Sequence, residues 1–262
     1  MRLVLRSCLL VILLTLAGGL SAAAQNKVRV PTTYGDAMRW YANAAEAGHP
    51  QAQFYLGYMY ETGVRFTRNA AKAALWYRRA GEQGHVQAQY NLAQLYLRGD
   101  GVARDAAAAA SWYRRAADAG MLDAQYALAA LLEGGEGGAS DLREAAMWYG
   151  RAVDQGSAGA ANNLAILLMR GEGVEREVAR AIELYRMAAE AGLANAQFNL
   201  AAAYINGEGI EADYVLAHRW LGAAAGQQGD PEVAAQAGRL LPELEKRMTP
   251  EQLERARQES EN

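Results

Sequence analysis

Residues 88–120 read AQYNLAQLYLRGDGVARDAAAAASWYRRAADAG, and the fold follows from this stretch. Ala88, Leu92, Ala93 and Tyr96 recur at helical spacing along one face of residues 87–98, which predicts a first helix there. Gly99 and Gly101 end it, because glycine takes the left-handed turn that other residues resist. Asp105 then stands where a short acidic side chain can accept from the free N–H groups of a second helix. That helix carries Ala109, Trp112, Tyr113 and Ala116 and stops at Gly120. Strand signals are absent.

The pattern returns every 36 residues in both directions. All five tryptophans share one register, Trp40, Trp76, Trp112, Trp148 and Trp220, with Leu184 in the remaining place. Tyr41, Tyr77, Tyr113, Tyr149 and Tyr185 follow them, and Ala44, Ala80, Ala116, Ala152, Ala188 and Ala224 keep step four residues on. Asn69, Asp141 and Asp213 repeat the capping position of Asp105, and no proline falls between Pro50 and Pro231. A fixed period of this length marks a solenoid. A helix of about 13 residues is only about 20 Å long and marginal alone in water, so successive pairs must stack. The Trp and Leu column is expected to fill the space between helices as core, where truncating one buried aromatic costs about 3–5 kcal/mol.

Residues 109–120 (AASWYRRAADAG), 88–101 (AQYNLAQLYLRGDG) and 207–213 (GEGIEAD) together resemble the Sel1-like repeat, a relative of the tetratricopeptide repeat. The resemblance runs from Tyr34 to about Leu241 and implies an all-α fold, a right-handed α-solenoid of antiparallel helix pairs. It implies a lone second helix at the start, five helix pairs, and a degenerate first helix over residues 231–241 at the end. The sequence departs from the pattern at Arg65 in place of the second loop glycine, at Gly138 in place of the residue seen as Val102, Val174 and Ile210, and at Leu184 in place of tryptophan. The glycine-rich run 134–138 predicts the loosest connection.

Outside the repeats, Arg2 and Arg6, an apolar run from Cys8 and the triplet Ala22-Ala23-Ala24 read as a signal peptide over residues 1–24, followed by a short linker at 25–34. The apolar run is too short for a retained transmembrane helix, which needs about 20 residues. The whole chain has 262 residues, a formal charge of −3 and 52% apolar content, which excludes a disordered tail, a collagen-like fibre and a basic nucleic-acid binder. Cleavage removes two arginines and the single cysteine, leaving 24 basic against 29 acidic residues, so packing rather than disulfides must hold the mature chain. The solenoid is assigned to 35–241, and 242–262 to a charged C-terminal capping helix or tail. Thr249, Pro250 and Gln252 form a capping box there, with Met248 and Leu253 as its hydrophobic staple.

No catalytic, cofactor-binding or metal-ligating set stands out. The three histidines, His49, His85 and His218, lie in no H-E-x-x-H context, and no serine sits in a nucleophile motif. The GDG and GEG turns follow helices and lack the lysine of a phosphate loop. Binding is the better reading. In tetratricopeptide-type solenoids the outward face of each first helix lines the concave groove, so the resemblance implies a lane of Phe54, Tyr90, Tyr126, Asn162 and Phe198, flanked by Tyr58, Gln94, Arg98, Arg170 and Asn206. Such a row suits an extended peptide or a helix, because rigid rings supply contact area at low entropic cost. The same rings could instead pack against the neighbouring repeat.

The expected function is therefore a non-enzymatic protein-interaction scaffold or regulator in the cell envelope, exported to the periplasm or beyond, with another protein as partner. Nucleic acid is not expected as a partner, nor is membrane insertion after cleavage. A module binding peptidoglycan or another polysaccharide, and a β-lactam-binding or hydrolysing member of the family, are the alternatives. Expressed from its first methionine in a bacterium that exports it, the chain should yield a mature species beginning at Gln25 on N-terminal sequencing; a species retaining Met1 would exclude cleavage.

Overall fold

The computed structural model describes residues 34–136, 138 and 140–260, with side chains from Arg39 to Glu259. The signal peptide read at 1–24, the linker except Tyr34, and Gly137 of the glycine-rich run lie outside the described residues. Within them the chain forms thirteen helices and no strand. In chain order these are α1 (Tyr34–Glu46), α2 (Pro50–Thr62), α3 (Ala70–Glu82), α4 (Val86–Arg98), α5 (Ala106–Asp118), α6 (Leu122–Gly134) and α7 (Leu142–Asp154). They continue as α8 (Ala158–Arg170), α9 (Val178–Glu190), α10 (Ala194–Asn206), α11 (Tyr214–Ala225), α12 (Pro231–Glu245) and α13 (Pro250–Ser260). The first helices of the pairs, α2, α4, α6, α8 and α10, begin at residues 50, 86, 122, 158 and 194, so the 36-residue period is kept without slippage.

The described residues divide into two compact units, 34–105 and 106–260. In the first, α2 packs on α1 and α3, and α3 on α4. In the second, consecutive helices pack from α5 through α12, and α13 lies against α11, burying Met248 and Ala256. The local signals act as expected. Asn69 Oδ1 accepts from the Lys72 amide at 2.9 Å, Asp141 Oδ1 from Glu144 at 2.9 Å, and Asp213 Oδ1 from Val215 and Leu216 at 2.8 and 3.0 Å. Thr249 and Gln252 complete a reciprocal box, with 2.9 Å from the Thr249 amide to Gln252 Oε1 and 3.3 Å in return. Each connection from a first to a second helix is closed by an amide reaching nine residues back, such as Asp141 to the Leu132 carbonyl at 3.1 Å and Asp213 to that of Tyr204 at 3.1 Å.

Two features differ from the sequence reading. The tyrosine column, not the tryptophan column, is the deepest. Tyr77 and Tyr149 are wholly buried and Tyr41, Tyr113 and Tyr185 nearly so, whereas Trp76, Trp148 and Leu184 are buried but Trp40, Trp112 and Trp220 only half-buried. An arginine three residues on covers the outer side of three of the indoles, Arg79 on Trp76 at 4.5 Å, Arg115 on Trp112 at 4.4 Å and Arg151 on Trp148 at 4.4 Å. In addition, α12 runs through Pro242 to Glu245, past the end that the proline signals at Leu241. Pro242 sits in the last turn with exposed Gly238 four residues before it, so the carbonyl that loses its donor faces water.

The turn glycines separate into two kinds. A Cβ on Gly173 (φ +73°) would stand 2.5 Å from Leu142 C and 2.7 Å from Arg143 N, because this loop lies directly on the start of α7. Gly156 (φ +88°), after α7, has nothing within 4 Å. Gly156→Ala should therefore cost about 1 kcal/mol, the strain of the left-handed backbone alone. Gly173→Ala should cost about 3 kcal/mol because a backbone collision adds to it. Chemical denaturation of the two variants checks this, and equal losses would show that the loop does not rest on α7.

Candidate functional site

In the first unit, α2 and α4 carry Phe54, Tyr58, Tyr90, Gln94 and Arg98. The Phe54 ring is stacked on His85 at 4.5 Å and lies 5.8 Å from Tyr77, so it packs against the next pair. Tyr58, one turn on, is 46% exposed, while Tyr90 and Gln94 are half-buried. Arg98 is exposed and reaches Glu61 at 3.0 Å. The same Glu61 accepts from the buried Tyr77 hydroxyl at 2.7 Å. Burial raises the Tyr77 phenol well above its ordinary value, and the bond to Glu61 adds to this.

His85 belongs to this face as well. Its Nδ1 accepts the Ala88 amide at 3.2 Å, capping α4, and its Nε2 lies 3.2 Å from Gln51 Oε1, so the neutral ring with the proton on Nε2 satisfies both. Burial lowers its pKa, opposed by its own backbone hydrogen bond.

In the second unit, α6, α8 and α10 carry Tyr126, Asn162, Arg170, Phe198 and Asn206. Tyr126 is 36% exposed. Its ring centroid lies 5.8 Å from that of Tyr149, and the ring lies over Gly159, where a Cβ would meet it at 3.3 Å. Asn162 is buried and fully engaged: its Nδ2 donates to Asn163 Oδ1 and its Oδ1 accepts from Asn199, both at 3.1 Å. Asn163 in turn donates to the Tyr149 hydroxyl at 3.0 Å, and that hydroxyl donates to Glu133 at 2.7 Å. Burial first, then Glu133, holds the Tyr149 phenol protonated far above neutrality. Arg170 is exposed, 3.8 Å from Glu172. Phe198 is half-buried and Asn206 exposed. Tyr58 in the first unit and Tyr126 in the second thus open to solvent, and Asn162 in the second is closed.

A recurring set that the sequence reading did not single out is the buried glutamine of each A-Q step. Gln53, Gln89, Gln125 and Gln197 donate to the carbonyls of Ala45, Gly81, Ala117 and Ala189 at 3.1, 2.9, 3.2 and 3.2 Å. These carbonyls lie in the last turns of the preceding helices, where each also accepts the amide of the turn glycine, Gly48, Gly84, Gly120 or Gly192, at 2.9–3.1 Å, so the glutamine is a second donor from outside the helix. The signal was the 36-residue recurrence of a polar residue on an apolar face. Among the described residues no group of three or more His, Cys, Asp or Glu side chains is placed to hold a metal ion.

The family model for the Sel1 repeat matches residues 34–49, 50–85, 86–121, 122–157, 158–193 and 194–228. The chain belongs to the Sel1 repeat family. Its repeats match a protective antigen present in uropathogenic Escherichia coli strains and displaying an SLR fold, at 34% identity and a TM-score of 0.71, over 88% of this chain and 49% of that one. This chain therefore spans about half the length of that antigen. They also match a Sel1 repeat protein from Oxalobacter formigenes at 30% identity and a TM-score of 0.69, over 79% of this chain and 93% of that one. Among curated proteins none matches. The family boundaries coincide with the observed half-pair α1 and the five pairs from α2 to α11, leaving α12 and α13 after the last repeat.

The lowered pKa of His85 fixes the sign of a pH effect. The unfolded chain takes up the proton near pH 6.5, before the folded chain does, so stability falls as pH drops from that value through the lower folded-state value. Thermal melts between pH 7.5 and about pH 5 should show a loss in the parent that is smaller in His85→Asn, which keeps a capping side chain without the titration. Identical slopes would exclude His85 as the cause.

Proposed function

We propose that this Sel1 repeat protein is an exported scaffold without catalytic activity, which holds a segment of another envelope protein against the outward face of its first helices. The observation that carries this reading is the presence of large aromatic rings partly exposed on that face, Tyr58 at 46% and Tyr126 at 36%. The Tyr126 ring is held along one edge by Tyr149 and Gly159, and fixed aromatics lose little entropy when a partner covers them. Charged and amide side chains flank them, Arg98 on α4 and Arg170 and Asn206 at the ends of α8 and α10, suited to the polar rim of a peptide contact. The leader-like residues 1–24 support an envelope location. No helix among the described residues is long and apolar enough to cross a membrane.

Affinity capture from envelope extracts, with the Tyr58→Ala/Tyr126→Ala double variant as control, tests the proposal. The parent should retain a discrete partner that the variant recovers at least about tenfold less well. Equal recovery by both would remove this face from consideration, and retention of cell-wall polysaccharide in place of protein would favour the carbohydrate reading.

A further inference from the structure

The loop between α6 and α7 breaks the repeat in two places at once. At the position of Val102, Val174 and Ile210 it has Gly138, and at the position of Arg68, Arg104 and Arg176 it has Ser140. Elsewhere in the chain these two positions do definite work. Gly173 and Gly209 lie against the first turns of α7 and α9, and the next residues, Val174 and Ile210, are half-buried there. The loop arginines reach forward to the acid of the following loop: Arg68 to Asp100, and Arg176 to Glu208 at 2.9 Å.

With no side chain at 138, a cavity of about 310 Å³ lies beside the loop, lined by Ala107, Ala110, Ser111, Gly138 and the Arg114–Glu144 pair. Ala110 and Leu132 line it with small or flexible side chains: Ala110 keeps the alanine of Ala74 and Ala146, where Ile182 stands two repeats on, and Leu132 matches Leu168, where Tyr96 and Tyr204 stand in other repeats. Arg114 crosses one wall to Glu144, with two bonds of 2.7 Å to its carboxylate oxygens, and Trp148 Nε1 donates to the same carboxylate at 3.0 Å. That wall is therefore fixed.

Ser140 makes half of the arginine's contacts. Its hydroxyl donates to the Glu133 carbonyl at 3.1 Å, as Arg176 Nε does to that of Met169 at 2.8 Å, and it is too short to go further. Glu172, the acid of the next loop, keeps only a 3.8 Å pair with exposed Arg170. Gly173, its neighbour, rests on Leu142 and Arg143, between the cavity-lining Asp141 and Glu144, so the cavity and Glu172 belong to one patch.

The geometry points to a docking site for a partner-protein segment of the form Val/Ile-x-Arg, the branched side chain entering the cavity and the guanidinium pairing with Glu172. The occupant is dictated by the chain itself: Val102-Ala103-Arg104 and Val174-Glu175-Arg176 supply those same groups in two other loops, Phe66-Thr67-Arg68 keeps the arginine and Ile210-Glu211-Ala212 the branched side chain, and only here are both withheld. The cavity is at the lower end of the roughly 300–1,000 Å³ that ligand pockets span, enough for one side chain with its backbone. Its charged lining is one cation, Arg114, and two anions, Asp141 and Glu144, which favours a basic segment.

The site is separate from the aromatic row, so neither test decides the other. A fluorescein-labelled peptide Gly-Val-Ala-Arg-Asp, the sequence of residues 101–105, is titrated with the purified full chain and followed by anisotropy. Saturable binding is expected, weakened about tenfold or more when the peptide valine becomes glycine or its arginine glutamine. In the protein, Glu172→Gln and Ala110→Ile should weaken it similarly, the second by filling the cavity as Ile182 does in its own repeat, while Glu208→Gln leaves it unchanged. Thermal melts confirm that the variants fold. No saturation at millimolar peptide, equal binding of the valine-less peptide, or indifference to both Glu172→Gln and Ala110→Ile overturns the proposal.

Discussion

Thirteen-residue helices are too short to persist by their own backbone hydrogen bonds, so every other feature of this chain depends on lateral packing between them. What makes that packing specific is a set of polar ties threaded through an alanine and leucine core. The phenols of Tyr77 and Tyr149 are carried into full burial, where an unpartnered hydroxyl would cost several kcal/mol, roughly 1–3 by mutational measures, and each is met by a glutamate one helix back. The buried glutamines add a second donor to carbonyls at the helix ends that already accept a turn amide. Because each tie spans two helices, it fixes how far one can slide along the other, which apolar contacts alone leave loosely determined.

Most of this architecture was legible in the sequence because it is written locally and repeated. The period, the capping residues and the turn glycines each act within a few residues of themselves, and recurrence separates them from chance. The relative depths of Trp and Tyr were not legible. Adjacent positions such as Trp148 and Tyr149 both face the interior of a helix pair, and the order is decided by Arg151, which shields the indole from solvent, and by Glu133 on a different helix. The candidate row was legible as a register but not as a surface. Whether position 162 is open depends on Asn163 and Asn199, one of which lies in the next repeat, and no helical wheel of α8 contains that information. The cavity at Gly138 was visible only as a departure from the pattern; that it is a space depends on Ala110 and Leu132 being small as well.

Regular rungs cannot tell one partner from another, since every repeat offers the same groups. The second helices are especially poor in this respect. Arg79 covers Trp76 and extends to Glu46 at 3.7 Å, and Arg151 covers Trp148 and extends to Asp118 at 3.8 Å. Exposed pairs of this kind contribute only about 0–1 kcal/mol each to stability, yet they leave the indole face and both charges already engaged. A partner docking there would have to displace them and find equivalent replacements. The faces that remain chemically open are the half-exposed rings on the first helices and the loop where the repeat has lost both its aliphatic side chain and its arginine. Specificity in a repetitive fold therefore has to come from its irregular positions, and in the second unit Gly138, Ser140 and Asn162 all fall within a span shorter than one 36-residue period.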